Sequence, residues 1–243
     1  MLAPLLALTL AVPFPVALDP VTGPAIALAP DLEVRRLADG LWLHVAYLNA
    51  ARDLPTNGLV VETPAGAVLV DSGWNEAQGA RLIAFAEERL HRPVAAVIVT
   101  HAHLDRIGGA GAALSRGIPV HSLDLTRQLA RAARLPVPDR SLASSAVLEL
   151  SGERLEVFFP GAGHTRDNAT VWLPRFGVLY GGCLVKSAGA PDLGNLADAD
   201  LAAWPASLAR LVARYPAPAL VVPGHGSLAG DHLARTRELL SKP

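Results

Sequence analysis

The sequence predicts an α/β protein in which two mixed β-sheets face each other and helices cover their outer sides, a four-layer αββα sandwich. Three observations support this fold class. Strand patterns alternate with amphipathic helical patterns. The second half of the chain repeats the order of the first, which indicates an internal pseudo-duplication. Hydrophobic residues make up 51% of the 243 positions, which is enough for an extensive core.

The first half contains two hairpin patterns, a helix and a buried strand. One pair of strands flanks a turn at Asp39 and Gly40, and a second pair flanks residues 64–66. Residues 75–92 then carry apolar side chains at helical spacing, and we expect the helix to end before Pro93. The run 94–100, VAAVIVT, is almost continuously apolar and is typical of a buried strand.

The second half follows the same order. Residues 170–183 align with residues 60–73, and Pro174 matches Pro64 in the turn between the two strands. We expect a helix that includes Leu201 and Leu211, followed by a buried strand ending at Pro223. In both halves polar residues follow the strand ends, so a site is predicted along the seam between the halves.

Residues 1–27 are predicted to be a signal peptide and N-terminal leader, and residues 28–243 a single domain. The apolar run 2–18 is short for a membrane helix, which needs about 20 residues, and prolines interrupt it. We therefore expect a periplasmic or secreted protein without stable membrane association. The net charge of −1, with basic residues spread along the chain, argues against a nucleic-acid partner.

The segment THAHLDRIGG, residues 100–109, follows the first buried strand and carries polar groups at alternate positions. In an extended segment these groups would share one face. Further histidines and the single cysteine stand in glycine-flanked turns, where a backbone can approach an ion closely. The candidate metal ligands are His101, His103, Asp105, His164, Cys183 and His225.

These six residues divide into two predicted sites. The three histidines at 101, 103 and 164 match the set that a catalytic zinc uses when water fills its fourth position. Asp105, Cys183 and His225 form a second set with one oxygen, one sulfur and one nitrogen ligand. In an oxidising compartment a metal would also occupy the otherwise unpaired thiol. Taken singly, a histidine is usually structural, which is our interpretation of His44, His91, His121 and His232.

Five segments together resemble a known family: THAHLDRIGG, GAGHTRDNATVWLP, GGCLVKS, DLGNLADAD and VVPGHG. In order and spacing they are similar to the zinc-dependent class B β-lactamases of subclass 1, from about Leu32 to the C-terminus. The resemblance implies the metallo-β-lactamase fold, two Zn²⁺ ions per chain and a monomer. It also implies antibiotic resistance through hydrolysis of the β-lactam amide of penicillins, cephalosporins and carbapenems, with a metal-bound hydroxide as nucleophile.

The resemblance also assigns roles to individual residues. Lys186 would bind the substrate carboxylate, Asn195 would donate to the lactam carbonyl, and Asp105 would orient the hydroxide. Asp71 and Arg106 would fix the orientation of the ligands. The loop 48–58 corresponds to the family's substrate flap, although it has no aromatic tip.

Two alternatives remain open at this stage. One is another hydrolase of the same fold, a lactonase or thioesterase. Such enzymes typically have a histidine where Arg106 stands and a bridging aspartate where Cys183 stands, so both positions favour the β-lactamase. The other alternative is a non-enzymatic zinc-binding protein, which would have no use for Lys186 and Asn195 beside an open cleft. Turnover, not metal content, would separate these possibilities.

Overall fold

The structure, a computed structural model, describes residues 23–242. Its strands are β1 (Ile26–Ala29), β2 (Leu32–Ala38), β3 (Leu41–Ala46), β4 (Thr56–Thr63), β5 (Gly66–Val70), β6 (Val94–Ile98), β7 (Val120–Leu123), β8 (Arg140–Leu142), β9 (Ser145–Leu150), β10 (Glu153–Phe158), β11 (Thr170–Leu173), β12 (Val178–Gly182) and β13 (Leu220–Pro223). Its helices are α1 (Glu76–Ala84), α2 (Leu104–Ile107), α3 (Ala110–Leu114), α4 (Asp124–Ala132), α5 (Trp204–Arg214) and α6 (His232–Leu240).

Within residues 23–242, eight strands form one sheet in the order β1 to β8. Five strands form a second sheet in the order β13-β12-β11-β10-β9. Both sheets mix parallel and antiparallel pairs, as the sequence predicts. The predicted leader lies outside the described residues up to position 22. Strand β1 begins at Ile26, two residues before the predicted domain boundary, and that boundary stays a prediction.

The internal repeat is visible in the strand pairing. Strands β4 and β5 are antiparallel, and β6 then joins β5 in parallel after the crossover through α1. Strands β11 and β12 are likewise antiparallel, and β13 joins β12 in parallel after the crossover through α5. The predicted pseudo-duplication is confirmed for these units, while the remaining strands make the two halves unequal.

Apolar side chains cover both faces of each sheet. Between the sheets, Leu59 and Val61 of β4 belong to the same buried cluster as Val171 of β11 and Val222 of β13. On the outer side of the larger sheet, Leu69 packs in a cluster with residues of α1 and α3. On the smaller sheet, residues of α5 cover β12 in the same manner. These layers confirm the predicted αββα sandwich.

The helix predicted over residues 75–92 begins at Asn75, whose side chain accepts a hydrogen bond from Gln78 N at 3.0 Å. Helical structure continues beyond α1 as a π-helical turn, Phe85–Arg89, and ends before Pro93. None of the helices within residues 23–242 combines the length and the apolar character needed to cross a bilayer.

Two local predictions were wrong. Leu201 lies in the turn before α5 and is 49% exposed, because the helix begins only at Trp204, after a turn in which Ala203 N donates to Asp200. The motif 100–109 is not extended throughout, because residues 104–107 form α2. Asp105 therefore reaches the neighbourhood of the histidines from the first turn of a helix.

The two glycines that end this motif allow very close backbone contacts. A Cβ on Gly108 would lie 2.1 Å from the carbonyl oxygen of Trp74, and one on Gly109 would lie 2.1 Å from that of Ser72. Gly79 of α1 is the next neighbour of Gly109. The glycines thus let the motif pack directly on the end of β5 and on α1.

We expect Gly109→Ala to lower the free energy of unfolding by about 1 to 3 kcal/mol, because the added methyl group meets backbone that cannot move aside easily. Denaturant unfolding measures this change. Gly111→Ala is the matched control, since a Cβ there would meet only the Glu76 side chain at 3.5 Å. Equal destabilisation by both variants would contradict the packing argument.

Candidate metal centre

The six candidate ligands come from four separate segments that meet at one edge of the sandwich. His101, His103 and Asp105 follow β6, and Cys183 follows β12. The other two ligands, His164 and His225, lie in the β10–β11 connection and just after β13. Among the described residues, the possible ligand atoms lie within 4.8 Å of one another in three overlapping groups. These are His101 with His164 and Cys183, His101 with His103 and Asp105, and Asp105 with Cys183 and His225.

The three predicted imidazole ligands face one another. Ring centroids are 4.8 Å apart for His101 and His103, 5.4 Å for His101 and His164, and 5.1 Å for His103 and His164. The second predicted set is also brought together, and His225 Nε2 lies 3.3 Å from Asp105 Oδ2. The two sets share neighbours and form one continuous cluster, which is compatible with two adjacent metal sites.

Hydrogen bonds determine which imidazole nitrogen faces the cluster. The Thr100 hydroxyl donates to Asp71 Oδ2 at 2.9 Å, so its oxygen can accept a hydrogen bond from His101 Nδ1 at 3.3 Å. His225 Nδ1 donates to the carbonyl of Pro55 at 2.8 Å. In both residues Nε2 therefore faces the cluster and can act as the ligand atom when the imidazole is neutral.

His103 has a partner that the sequence prediction missed. Its Nε2 donates to Asp198 Oδ2 at 2.9 Å, which leaves Nδ1 for the cluster. Asp198 belongs to the segment DLGNLADAD, from which only Asn195 was selected. The three acidic residues of that segment indicated a possible carboxylate partner, but only the folded chain shows which carboxylate reaches His103.

Arg106 is fully buried beneath the candidate ligands. Its Nη2 lies 2.8 Å from Asp105 Oδ2, donates to Gly224 O at 2.8 Å and lies 3.1 Å from His225 Nε2. Its Nη1 donates to the Tyr180 hydroxyl at 2.8 Å and lies 3.5 Å from Asp71 Oδ2. These contacts agree with the expected orienting role of Arg106, which stays a prediction.

Asp71 lies at the end of β5, is fully buried and has a left-handed backbone conformation with φ of 60°. Its carboxylate accepts hydrogen bonds from Thr100 N at 2.9 Å and from the Tyr180 hydroxyl at 2.6 Å. Burial raises the pKa of Asp71, although the charge of Arg106 opposes that rise. Asp71 is therefore connected to His101 through Thr100, which agrees with its expected orienting role, and that role stays a prediction.

The electrostatic environment favours ligand-competent forms of three side chains. Burial raises the pKa of Cys183, but Arg106 and His225 outweigh it and hold that pKa well below its usual value. The thiolate is the form that binds a metal. Burial lowers the pKa of His164 to about 4, so this imidazole is neutral at pH 7. Burial also opposes ionisation of Asp105, yet Arg106 lowers its pKa overall.

One buried atom indicates that the cluster suits a metal ion. Among the described residues, His101 Nε2 has no hydrogen-bond partner although it is shielded from solvent. Such an unpaired buried nitrogen is costly unless something binds it. It lies in a group with His164 and the Cys183 thiolate, a donor set typical of zinc. The residues present therefore fit zinc.

A cleft of about 760 Å³ opens above the cluster, and His103, Asp105, His164 and His225 line it. Lys186 and Asn195 lie on its wall. Lys186 is 9% exposed, and its Nζ lies 5.2 Å from the centroid of the Trp204 ring. Asn195 is exposed and its Oδ1 accepts from Ala197 N at 3.1 Å, so it also shapes a turn.

The sequence profile of the family described as "Metallo-beta-lactamase superfamily" matches residues 51–225. The chain belongs to this superfamily. The resemblance stated from the sequence is thereby confirmed, and the similarity extends over most of the chain. The sequence is 43% identical over 213 residues to the metallo-beta-lactamase type 2 of Bacillus cereus, covering 86% of this chain and 82% of that protein. It is 34% identical over 232 residues to that of Bacteroides fragilis, covering 94% and 92%.

Solved structures of the superfamily have the same fold. The metallo-beta-lactamase from Pontibacter korlensis superimposes with a TM-score of 0.83 at 41% identity, covering 87% of this chain and 100% of that one. The metallo-beta-lactamase FIM-1 from Pseudomonas aeruginosa, in its mono-zinc form, gives 0.80 at 33% identity, with coverage of 88% and 97%. Both superpositions confirm the fold class.

We expect Arg106→Ala to lower the free energy of unfolding by about 3 to 5 kcal/mol, because Asp71 and Asp105 would remain buried without their cationic partner. Denaturant titration measures this loss. Arg116→Ala, which breaks an exposed ion pair with Glu87, should cost less than about 1 kcal/mol. Similar losses of unfolding free energy in the two variants would contradict the argument that the buried charge of Arg106 stabilises the fold.

We expect Asp198→Asn to weaken zinc binding about tenfold, because His103 would lose the carboxylate that orients its ring. Competition with a chromophoric chelator measures the affinity. Asp192→Asn is a suitable control, since that side chain accepts a hydrogen bond only from Gly194 N in the same loop. Unchanged affinity in Asp198→Asn would show that the contact does not support the ligand.

Proposed function

We propose that this chain is an exported, monomeric zinc enzyme that hydrolyses the amide bond of β-lactams and confers resistance to them. The substrates would be penicillins, cephalosporins and carbapenems. The observation that carries the proposal is the cluster of six candidate metal ligands, four of which line the floor of the cleft, with Lys186 on its wall. Relatives named metallo-beta-lactamase type 2 at 34% and 43% identity support the same activity.

His101, His103 and His164 would hold one Zn²⁺ ion, and Asp105, Cys183 and His225 a second. When bound, zinc supplies a water acidified to a pKa of about 7 and positive charge beside the atoms that become anionic. The set of Asp105, Cys183 and His225 is one of the groups whose ligand atoms lie within 4.8 Å of one another, and the three histidine rings face one another, which supports this division. Arg106 stabilises the charged forms of Asp105 and Cys183, and these two anions can bind a metal cation.

Lys186 would bind the carboxylate that flanks the lactam ring. Its ammonium group lies in the cleft beside Trp204, which restricts its motion and partly shields it from water. Ion pairing is stronger in such a shielded position than at an open surface. Asn195 would donate a side-chain N–H to the lactam carbonyl, where negative charge develops during the reaction. Both residues therefore orient the substrate over the ligand cluster.

Asp105 would orient the attacking water through one oxygen of its carboxylate. Among the described residues, the contacts of Asp105 with Arg106, Thr56 and His225 all involve Oδ2. That leaves Oδ1 to accept a hydrogen bond from the water and so to orient it. The low pKa that Arg106 imposes keeps the carboxylate ionised before the reaction.

The two alternatives that the sequence left open predict different experimental results. A lactonase or thioesterase of the same fold would hydrolyse esters or thioesters, and a zinc-storage protein would bind metal without turnover. The buried position of Arg106 beneath both ligand sets and the thiolate of Cys183 continue to favour the β-lactamase. Substrate comparison is therefore the decisive test.

We expect the purified mature chain to hydrolyse a chromogenic cephalosporin and a carbapenem in the presence of zinc, and to lose this activity on chelation. Cys183→Ser should reduce kcat/KM by about 100-fold, because the second metal loses its thiolate ligand. Absorbance assays measure turnover, and mass spectrometry under native conditions should find two zinc ions in the wild type and fewer in the variant.

Zinc binding without turnover of any β-lactam would overturn the proposal. Hydrolysis of lactones or thioesters by that same preparation would favour the related hydrolases instead. An absence of turnover on all three substrate classes would favour the zinc-binding protein.

A further inference from the structure

The segment from Lys186 to the start of α5 at Trp204 carries both substrate-binding candidates but contains neither helix nor strand. An irregular segment of this length inside a compact domain is uncommon and usually functional. Ordering the segment costs conformational entropy, and the hydrogen bonds within its own turns offset only part of that cost. Other parts of the fold must therefore hold Lys186 and Asn195 in place.

One face of the C-terminal helix α6 provides these contacts. Thr236 Oγ1 accepts a hydrogen bond from Lys186 N at 2.8 Å, and His232 Nδ1 accepts one from Ala188 N at 2.9 Å. Both side chains are buried. Arg235 completes the series, with Nε and Nη2 at 2.9 Å and 2.6 Å from the carbonyl oxygen of Ala190. Hydrogen bonds from α6 thus hold alternate residues of the segment, at positions 186, 188 and 190.

Arg235 contacts backbone that lines the cleft. Ala190 and Pro191 line the cleft, and Arg235 Nη2 also lies 3.4 Å from the carbonyl of Pro191. Two guanidinium nitrogens on one oxygen restrain both its position and its direction. The remaining nitrogen, Nη1, pairs with Glu238 at 2.7 Å, which anchors the guanidinium to its own helix.

We propose that Arg235 is a positioning residue for substrate binding: by restraining the backbone at Ala190 it holds segment 186–195 with Lys186 and Asn195 facing the cleft. Arg235 does not line the cleft itself, and it contacts none of the candidate metal ligands. Its removal should affect substrate affinity and leave the metal sites intact. This role rests on the proposed function, because it assumes that Lys186 binds the substrate carboxylate.

The first test compares steady-state kinetics of Arg235→Ala and wild type with a penicillin. We expect KM to rise about tenfold, since the segment would have to be ordered again at each binding event, while kcat and zinc content change less than about twofold. Arg235→Lys, which retains one donor for Ala190 O, should recover part of the loss. Arg237→Ala, on the same helix, is a control expected to keep the wild-type KM.

A double-mutant cycle separates positioning from a general structural role. In the Lys186→Met background, which already lacks the ammonium group, Arg235→Ala should raise KM by less than about threefold, because the two residues act on the same interaction. Full additivity of the two effects, or an unchanged KM in Arg235→Ala alone, would overturn the proposal. A parallel fall of kcat and zinc content would do so as well.

Hydrogen–deuterium exchange gives a readout that does not need turnover. Arg235→Ala should accelerate amide exchange in residues 186–195 and leave residues 101–107 unchanged, whereas Arg237→Ala should alter neither. Faster exchange throughout the protein, or none in 186–195, would contradict the positioning role. Absence of β-lactam turnover in the wild type would instead refute the proposed function, and the exchange experiment would still decide whether Arg235 restrains the segment.

Discussion

The guanidinium of Arg106 is the charge around which the candidate site is built. It is fully buried, and it donates to the carbonyl oxygens of Asn57 on β4 and Gly224 after β13, so it joins the two halves of the fold. A buried cation is tolerated only where oxygen atoms surround it closely. Asp71 and Asp105 provide the compensating charge. The strand ends that carry the candidate ligands therefore meet at this ion.

The same cation influences the chemistry of the ligands above it. Its charge favours the carboxylate of Asp105 and the thiolate of Cys183, which are the forms that coordinate a metal. Those anions in turn raise the pKa of Arg106 despite its burial. These charges therefore connect the two halves of the fold and keep Asp105 and Cys183 in the forms that can bind a metal. A neutral side chain of similar size could fill the space but would leave two buried acids unbalanced.

The floor and the wall of the cleft are stabilised in different ways. The ligands of the floor follow strand ends, where ladder hydrogen bonds and the tight contacts at Gly108 and Gly109 restrict the backbone. The wall that carries Lys186 and Asn195 is irregular and depends on side chains of α6. The candidate metal ligands and the candidate substrate-binding residues thus belong to differently stabilised parts of one domain.

Local sequence patterns were sufficient for much of the fold and for the choice of candidate ligands. Alternating and continuous apolar runs identified both crossover units, and the predicted helix start at residue 75 was correct because the Asn75 cap involves only neighbouring residues. Ligand-type side chains in glycine-flanked turns identified the candidate centre. The four-residue helix α2 was not predicted, because a single helical turn shows no measurable hydrophobic periodicity.

Only the tertiary structure decided which distant groups meet. His103 and Asp198 are 95 positions apart, and the contacts of Arg235 with Ala190 span 45 positions. The overlap of the six ligands in one cluster likewise depends on how the two sheets pack. The sequence by itself determined which residues could do the chemistry, because that depends on side-chain type. The fold determined their partners, because distances between remote residues depend on the packing of the whole core.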